Sequence, residues 1–338
     1  MKRIISFIFL VISINTFSQV EGGLFPKFKK QASDTTRIKD LSGNLALWIY
    51  AINKQSTLGL QNTTEKKTLE IRPNEQVNIG FGFNYKWMGL GIAFKPPFSS
   101  NDDDVYGKTS RLDLQLNIFA KSFGIDLTAQ YYKGYYVSNP QSIIKWEKRE
   151  YPQLEDLETV NIELSTYYFS NHKKFSYRAA FVRNEIQLKG AGSPIFGLYY
   201  RLSAAGTNNK GIIPEEFEDI KSRFDVYGYV GHNYGISIGY TYTFVIWKKI
   251  FVNFTFVPGL GGQAMRIYTK EENARAGNKL AVRVLFRSAI GYEHKYFYLG
   301  LSNLNITNEI NYEDVSIFTS STKFRIYVGK RFNLKKKK

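Results

Sequence analysis

The 338-residue chain has no cysteine. That absence excludes disulfide scaffolds, thiolate zinc sites, iron–sulfur clusters and thiol nucleophiles. It also excludes a lipid anchor on an N-terminal cysteine. Histidine is nearly missing, with 3 residues, so general-base chemistry has few places to reside. Proline is scarce at 9, which suits a chain lying mostly in regular structure. Long apolar runs are lacking after the N-terminus, and mean hydropathy is −0.30. A membrane helix needs about 20 consecutive apolar residues, so a helical bundle is excluded. Acids are outnumbered, 29 against 46 Lys and Arg, leaving a net charge of +17.

What is abundant is aromatic and amphipathic. There are 26 Phe and 24 Tyr, and 43% of residues are hydrophobic, which argues against global disorder. The basic balance raises nucleic acid as a partner, but the N-terminus argues otherwise. Met1-Lys2-Arg3 precedes an apolar stretch from Ile4 to Phe17, and Thr16-Phe17-Ser18 places small residues at −3 and −1 of a cut before Gln19. This is the layout of a secretory signal peptide over residues 1–18. An exported chain meets the envelope, so the expected partners are lipid and lipopolysaccharide phosphates, not nucleic acid. Residues 19–40 are polar and basic and read as a periplasmic lead-in.

From there the hydrophobic period is 2. Val77, Ile79, Phe81, Phe83 and Tyr85 alternate with Asn78, Gly80, Gly82 and Asn84. The same alternation runs through residues 112–120, 125–132, 160–168, 236–242 and 280–286. Three features favour a membrane barrel over a soluble sandwich. First, tight turns at Lys86-Trp87, Lys121-Ser122, Ser170 to Lys173, Trp247 to Lys249 and Glu293 to Lys295 contrast with long polar stretches near 97–109, 136–157, 263–279 and 306–320. Second, aromatics crowd strand ends, as at Tyr131, Tyr132, Tyr135 and Tyr136, and as interfacial girdles do. Third, Phe324, Ile326 and Val328 alternate with Arg325, Tyr327 and Gly329, and Phe332-Asn333-Leu334 ends in aromatic-x-apolar. That pattern is similar to the terminal-strand signal read by the barrel-assembly machinery, here followed by a basic tail, Lys335 to Lys338. The expectation is an all-β antiparallel outer-membrane barrel over residues 41–334, with about 12 strands (10–14). Tight turns would be periplasmic and long loops extracellular. Residues 187–233 leave the parity open. Gly197 to Ser203 reads as a strand, and Ile213 to Ser222 as a loop or short helix.

Several segments together resemble a known family. They are Asp34-Thr35-Thr36 with Asp40-Leu41-Ser42, Arg72-Pro73-Asn74, and the Gly-rich hairpin Asn78 to Phe94. Tyr106 to Thr109 with Leu112 to Gln115, Phe123 to Asp126 with Tyr132 to Tyr136, Asn171 to Phe181, and Gly239 to Phe244 complete them. The chain resembles an uncharacterised family of secreted bacterial proteins classed as a domain of unknown function. The resemblance implies an outer-membrane barrel and carries no activity and no catalytic residues.

The chemical candidates are few. Gly235-Ile236-Ser237-Ile238-Gly239 matches G-x-S-x-G, but it lies inside an alternating strand and not at a strand-to-helix turn. His232 is five residues from Ser237, an odd offset that sends the two side chains to opposite faces. His172 and His294 fall in turns and read as solvated or interfacial. Asn101 to Asp104 with Gly107 offers hard ligands for calcium, without EF-hand spacing. Gly259 to Gly262 lacks the lysine and helix of a phosphate cradle. Asp113, Asp126, Glu163, Arg178, Arg283 and Arg287 lie in strand patterns and should point into the lumen, since a charge on the lipid face costs about 2–4 kcal/mol near the midplane. No catalytic, cofactor-binding or metal-binding residue is assigned. The expected role is a narrow pore or a closed structural barrel. The rivals are an envelope hydrolase acting at the rim and a soluble periplasmic β-protein.

Overall fold

The computed structural model describes residues 33–62, 67–85, 88–96, 102–208, 211–217, 226–269, 273–294, 296–312 and 315–333. The expected signal peptide, residues 19–32 of the lead-in, Asn101, the Lys86-Trp87 turn, Leu334 and the basic tail lie outside them.

Alternating residues build a single antiparallel wall. Its strands are β2 (Asn44–Asn62), β3 (Thr68–Arg72), β4 (Asn78–Tyr85), β5 (Met88–Phe94), β6 (Ser110–Phe119), β7 (Phe123–Val137), β8 (Gln153–Phe169) and β10 (Ala191–Gly206). They continue with β11 (Gly228–Ile246), β12 (Ile250–Tyr268), β13 (Asn273–Glu293), β14 (Tyr298–Tyr312) and β15 (Val315–Asn333). The last strand pairs with the first along its length, from Asn333↔Asn44 to Val315↔Asn62, so the sheet closes on itself. Closure here removes two edges that lipid cannot solvate. Every pairing in the wall is antiparallel.

The two halves of the wall differ. Near the long loops ten strands form the ring, with β3 bridging β2 and β7 through Ile71↔Val137 and Arg72↔Tyr136. Towards the tight turns β4 takes the place of β3, and β5 and β6 are inserted. Among the described residues the closed ring therefore has ten strands, the lower end of the expected 10–14, and β4, β5 and β6 are additions to it. The break between β3 and β4 falls at Pro73, which has no N–H for a ladder. There the Glu75 carboxylate accepts the Ser56 backbone N–H of β2 at 2.8 Å in place of a strand partner.

Outward side chains form an apolar band. On β13, Leu280, Val282 and Ile290 are exposed, and on β11, Tyr234, Ile236 and Ile238 are. From Leu280 to Ile290 the rise is ~34 Å along the strand, which a tilt of ~40° reduces to ~26 Å, the height of a membrane barrel's apolar belt. Trp247 and Tyr296, 82% and 62% exposed, sit in the turns below it.

Two expected loops are strands. Residues 263–279 and 306–320 largely extend β12, β13, β14 and β15, leaving connections at 269–272 and 313–314. Polar side chains pair along the second of these extensions, such as Ser316 donating to Glu309 Oε1 at 3.0 Å. They interrupt hydrophobic alternation without interrupting pairing. The real long connections are 95–109, holding α1 (Asp103–Tyr106), then 138–152 and 207–227.

The Ser170–Lys173 turn does not return directly to the wall. After it the chain forms α2 (Tyr177–Phe181) and β9 (Glu185–Gln187), which pairs with β1 (Ile38–Asp40). Ser176 caps α2 by accepting the Ala179 N–H at 3.0 Å. Arg178, expected in a strand, belongs to this helix and pairs with Glu185 at 3.1 Å. His172 is buried, its Nδ1 3.0 Å from the Phe169 carbonyl, so it is not a solvated turn residue.

Candidate functional site: a plugged lumen with a cavity at a wall seam

The inward faces carry the charges that lipid excludes from the outer face. Asp126, Glu163, Arg283 and Arg287 are all buried. Arg283 donates to Glu163 at 2.5 Å and to Ser165 at 2.9 Å, and Arg201 lies 3.5 Å from the same carboxylate. Arg287 donates to Asp126 at 2.6 Å and to the Tyr177 hydroxyl of α2 at 3.0 Å. Asp113 receives Lys54 at 2.7 Å, Gln130 at 3.2 Å and the Tyr132 hydroxyl at 3.2 Å. Each carboxylate is thus held by a cation across the lumen, as buried charge requires.

Among the described residues, side chains pack across the lumen at both ends. At the turn end, α2 packs with Phe119, Phe169 and Phe175 around Tyr177. The plug is pinned by Asn84, which donates to the Val182 carbonyl at 2.8 Å, and by Glu293, clamped between Arg183 and Arg331. At the loop end an apolar cluster includes Leu60, Ile71, Tyr132 and Leu157, and Ile212, Ile213 and Phe217 from the 207–227 connection join it.

Between these closures lies a cavity of about 250 Å³. It sits behind β5 and β6. These strands pair with β4 and β7 respectively, and among the described residues no ladder joins them to each other. Leu90, Gly91 and Ala93 line the cavity from one side of this seam, and Asp113, Gln115 and Asn117 from the other. Inward positions of the β4–β5 hairpin are small for a reason. A Cβ on Gly82 would stand 2.6 Å from the Trp48 ring, and one on Gly80 2.4 Å from the Tyr50 ring. The bare backbone is the floor on which these rings lie. Arg325 stacks above them, its guanidinium carbon 5.5 Å from the Trp48 ring centre and 5.0 Å from that of Tyr50.

The cavity is electropositive. Lys54, Arg183, Arg287, Lys323 and Arg325 line it, with Asp113 as the sole lining carboxylate among the described residues. Asp113 answers Lys54 at close range and Lys323 from further off, Asp126 answers Arg287, and Glu293 answers Arg183. Lys323 donates to the neutral Gln115 at 3.2 Å. Neither Lys323 nor Arg325 forms an ion pair among the described residues. Arg325 Nε, Trp48 Nε1 and Tyr327 Oη are buried with no hydrogen-bond partner.

The other candidates do not converge. Ser237 is buried in the lumen, whereas His232 faces outward, with its Nδ1 2.8 Å from the Tyr200 hydroxyl. Gly259 makes room for the Tyr199 ring, 2.8 Å from where its Cβ would be. Asp103 accepts from Asn74 at 3.2 Å. Among the described residues no group of three His, Asp or Glu could hold a metal. The cavity's own residues, Trp48, Tyr50, Lys323 and Arg325, were not singled out from the sequence. Their signal was parity alone. Lys323 and Arg325 alternate with Phe324 and Ile326, which places both cations inside.

Residues 32–332 match the model of a family described as "Domain of unknown function (DUF4421)". No curated protein matches the sequence. Among solved structures, the outer membrane protease OmpT from Escherichia coli is similar at 9% identity and a TM-score of 0.35, covering 87% of this chain and 98% of that one. The translocator domain of the autotransporter NalP from Neisseria meningitidis gives 8% and 0.34, covering 85% and 88%. The toluene transporter TodX of Pseudomonas putida gives 6% and 0.28, covering 86% and 90%.

Proposed function

We propose, from the premise that the chain belongs to the Domain of unknown function (DUF4421) family, that it is a closed, non-conducting and non-catalytic barrel of the outer membrane. The observation that carries this reading is the α2 plug, whose Tyr177 bonds to Arg287 of the far wall while Arg183 and Glu293 lock its exit. The apolar belt supports residence in a bilayer, and the basic, cysteine-free sequence with its N-terminal apolar stretch supports export. In this orientation the plug, the tight turns and β1 face the periplasm, and the 95–109, 138–152 and 207–227 connections face outside. The closing strand β15 is the segment offered to the barrel-assembly machinery. Lipid and lipopolysaccharide phosphates surround the basic exterior.

The test is single-channel recording of the refolded mature chain in a planar bilayer, with insertion verified by heat-modifiable migration. Insertion with a flat current trace is expected. Discrete, reproducible conductance steps overturn the reading.

A further inference from the structure

We propose that the cavity behind the β5–β6 seam is a binding site for an anionic amphiphile, a single-chain phosphate monoester whose headgroup enters sideways from the bilayer. This rests on the closed-barrel reading, because a plugged barrel leaves the wall as the route inward.

Three observations converge. The first is the seam. Two strands at the depth of the apolar belt each present an edge with no ladder across it. Unpaired backbone at membrane depth is tolerated only where it is buried in protein or borders a polar cavity, and here the cavity lies directly behind. The second is charge. Lys323 and Arg325 are two residues apart on one face of β15, about 7 Å along the strand. Lys323 shares the Asp113 carboxylate with Lys54, Arg325 faces no carboxylate, and a phosphate monoester carries about −1.5 to −2 at neutral pH. The guanidinium, held flat on Trp48 and Tyr50, presents the planar fork that suits a phosphate. Trp48 Nε1 and Tyr327 Oη supply further unused donors. The third is shape and surroundings. At about 250 Å³ the cavity falls below the ~300–1,000 Å³ of sites that enclose a whole small molecule. It holds a headgroup and leaves the chain outside. Outside the seam lie exposed Leu90, Ile92 and Phe94 on β5 and Leu112, Leu114 and Leu116 on β6, an apolar track for that chain.

The experiment measures equilibrium binding of lysophosphatidic acid to the full mature barrel in a zwitterionic detergent, with stoichiometry read by native mass spectrometry. Inorganic phosphate and lysophosphatidylcholine are the comparison probes. One lysophosphatidic acid per barrel is expected, bound at least tenfold tighter than lysophosphatidylcholine. Arg325→Ala should weaken it tenfold or more, and Arg325→Lys should recover part of the loss. Ala93→Trp, which fills the seam with a ring, should abolish binding while heat-modifiable migration stays normal. Inorganic phosphate binding as tightly as the lipid overturns the sideways route and the chain's part in it. Equal binding of both lysolipids, or no effect of Arg325→Ala in a folded barrel, overturns the headgroup assignment, and no binding overturns the site. Conductance reports the closed-barrel reading separately, so a conducting barrel and a barrel that ignores the lipid are different failures.

Discussion

Glu163 is the residue on which a dry, closed lumen makes its sharpest energetic demand. Its carboxylate faces two guanidiniums, Arg283 at 2.5 Å and Arg201 at 3.5 Å. Arg283 is 1% exposed, and water does not substitute for the lost anion. Glu163→Gln keeps the shape and removes the charge, leaving two buried cations uncompensated. Breaking one buried pair typically costs about 3–5 kcal/mol, and a carboxylate shared by two arginines puts the loss near ~4–5 kcal/mol. Adding Arg283→Met removes one stranded cation and should return roughly half of that loss, about 2 kcal/mol, with Arg201 retaining the rest. The assay is reversible urea unfolding in lipid vesicles followed by tryptophan fluorescence, across the cycle of two single variants and the double. A cost below about 1 kcal/mol for Glu163→Gln, the value of a solvated pair, refutes the reasoning, because it means a wet lumen.

Other consequences follow from the same contacts. Ser176→Ala removes the α2 cap and a hydrogen bond to Glu185, so stability should fall by about 1–2 kcal/mol and plug amides should exchange faster by mass spectrometry. Gly82→Val drives a side chain into the Trp48 ring and the Leu90 carbonyl, and thermal unfolding should show a loss of about 1–3 kcal/mol. His232→Ala and Ser237→Ala should leave any ester-hydrolysis signal at the blank level of the parent, since the two side chains lie on opposite faces of β11. A drop in activity specific to either variant would revive the hydrolase alternative. Burial raises the Asp40 pKa, but hydrogen bonds from Ser42, with Arg178 and Lys121 nearby, bring it below its ordinary value. A lowered folded value stabilises the β1–β9 ribbon above the unfolded pKa near 3.8 and is lost as pH falls through the folded value. Amide exchange at Ile38 to Asp40 should therefore accelerate below about pH 4.

The barrel was legible because its signal is local. Period-2 alternation needs only neighbouring residues, and lipid outside forces Asp113, Asp126, Glu163, Arg283 and Arg287 inward whatever the strand order. The same logic placed Ser237 and His232 on opposite faces. The misplaced loops at 263–279 and 306–320 are the converse case. There Thr307, Glu309 and Ser320 leave the belt but stay paired, and alternation reports burial, not hydrogen bonding. The plug was not legible, because Tyr177 to Phe181 is held by contacts more than 100 residues away, such as Tyr177 with Arg287 and Arg183 with Glu293. The cavity was hidden for a related reason. In sequence Gly80, Gly82 and Gly91 are only the small members of a Gly-rich hairpin, and the crowding they relieve belongs to Trp48 and Tyr50 of another strand.

The central claim is an interior shut at both ends and reached through the wall, and the absence of cysteine makes it directly measurable. A single cysteine at Gln115, which lines the cavity beside the seam, is placed in the barrel in lipid vesicles. Its labelling is timed with a charged, membrane-impermeant maleimide supplied to both sides and with an apolar maleimide that partitions into the bilayer. The account predicts rapid reaction with the apolar reagent and at least a hundredfold slower reaction with the charged one. Equal rates with the charged reagent would contradict it, because they require a water-filled path along the barrel axis.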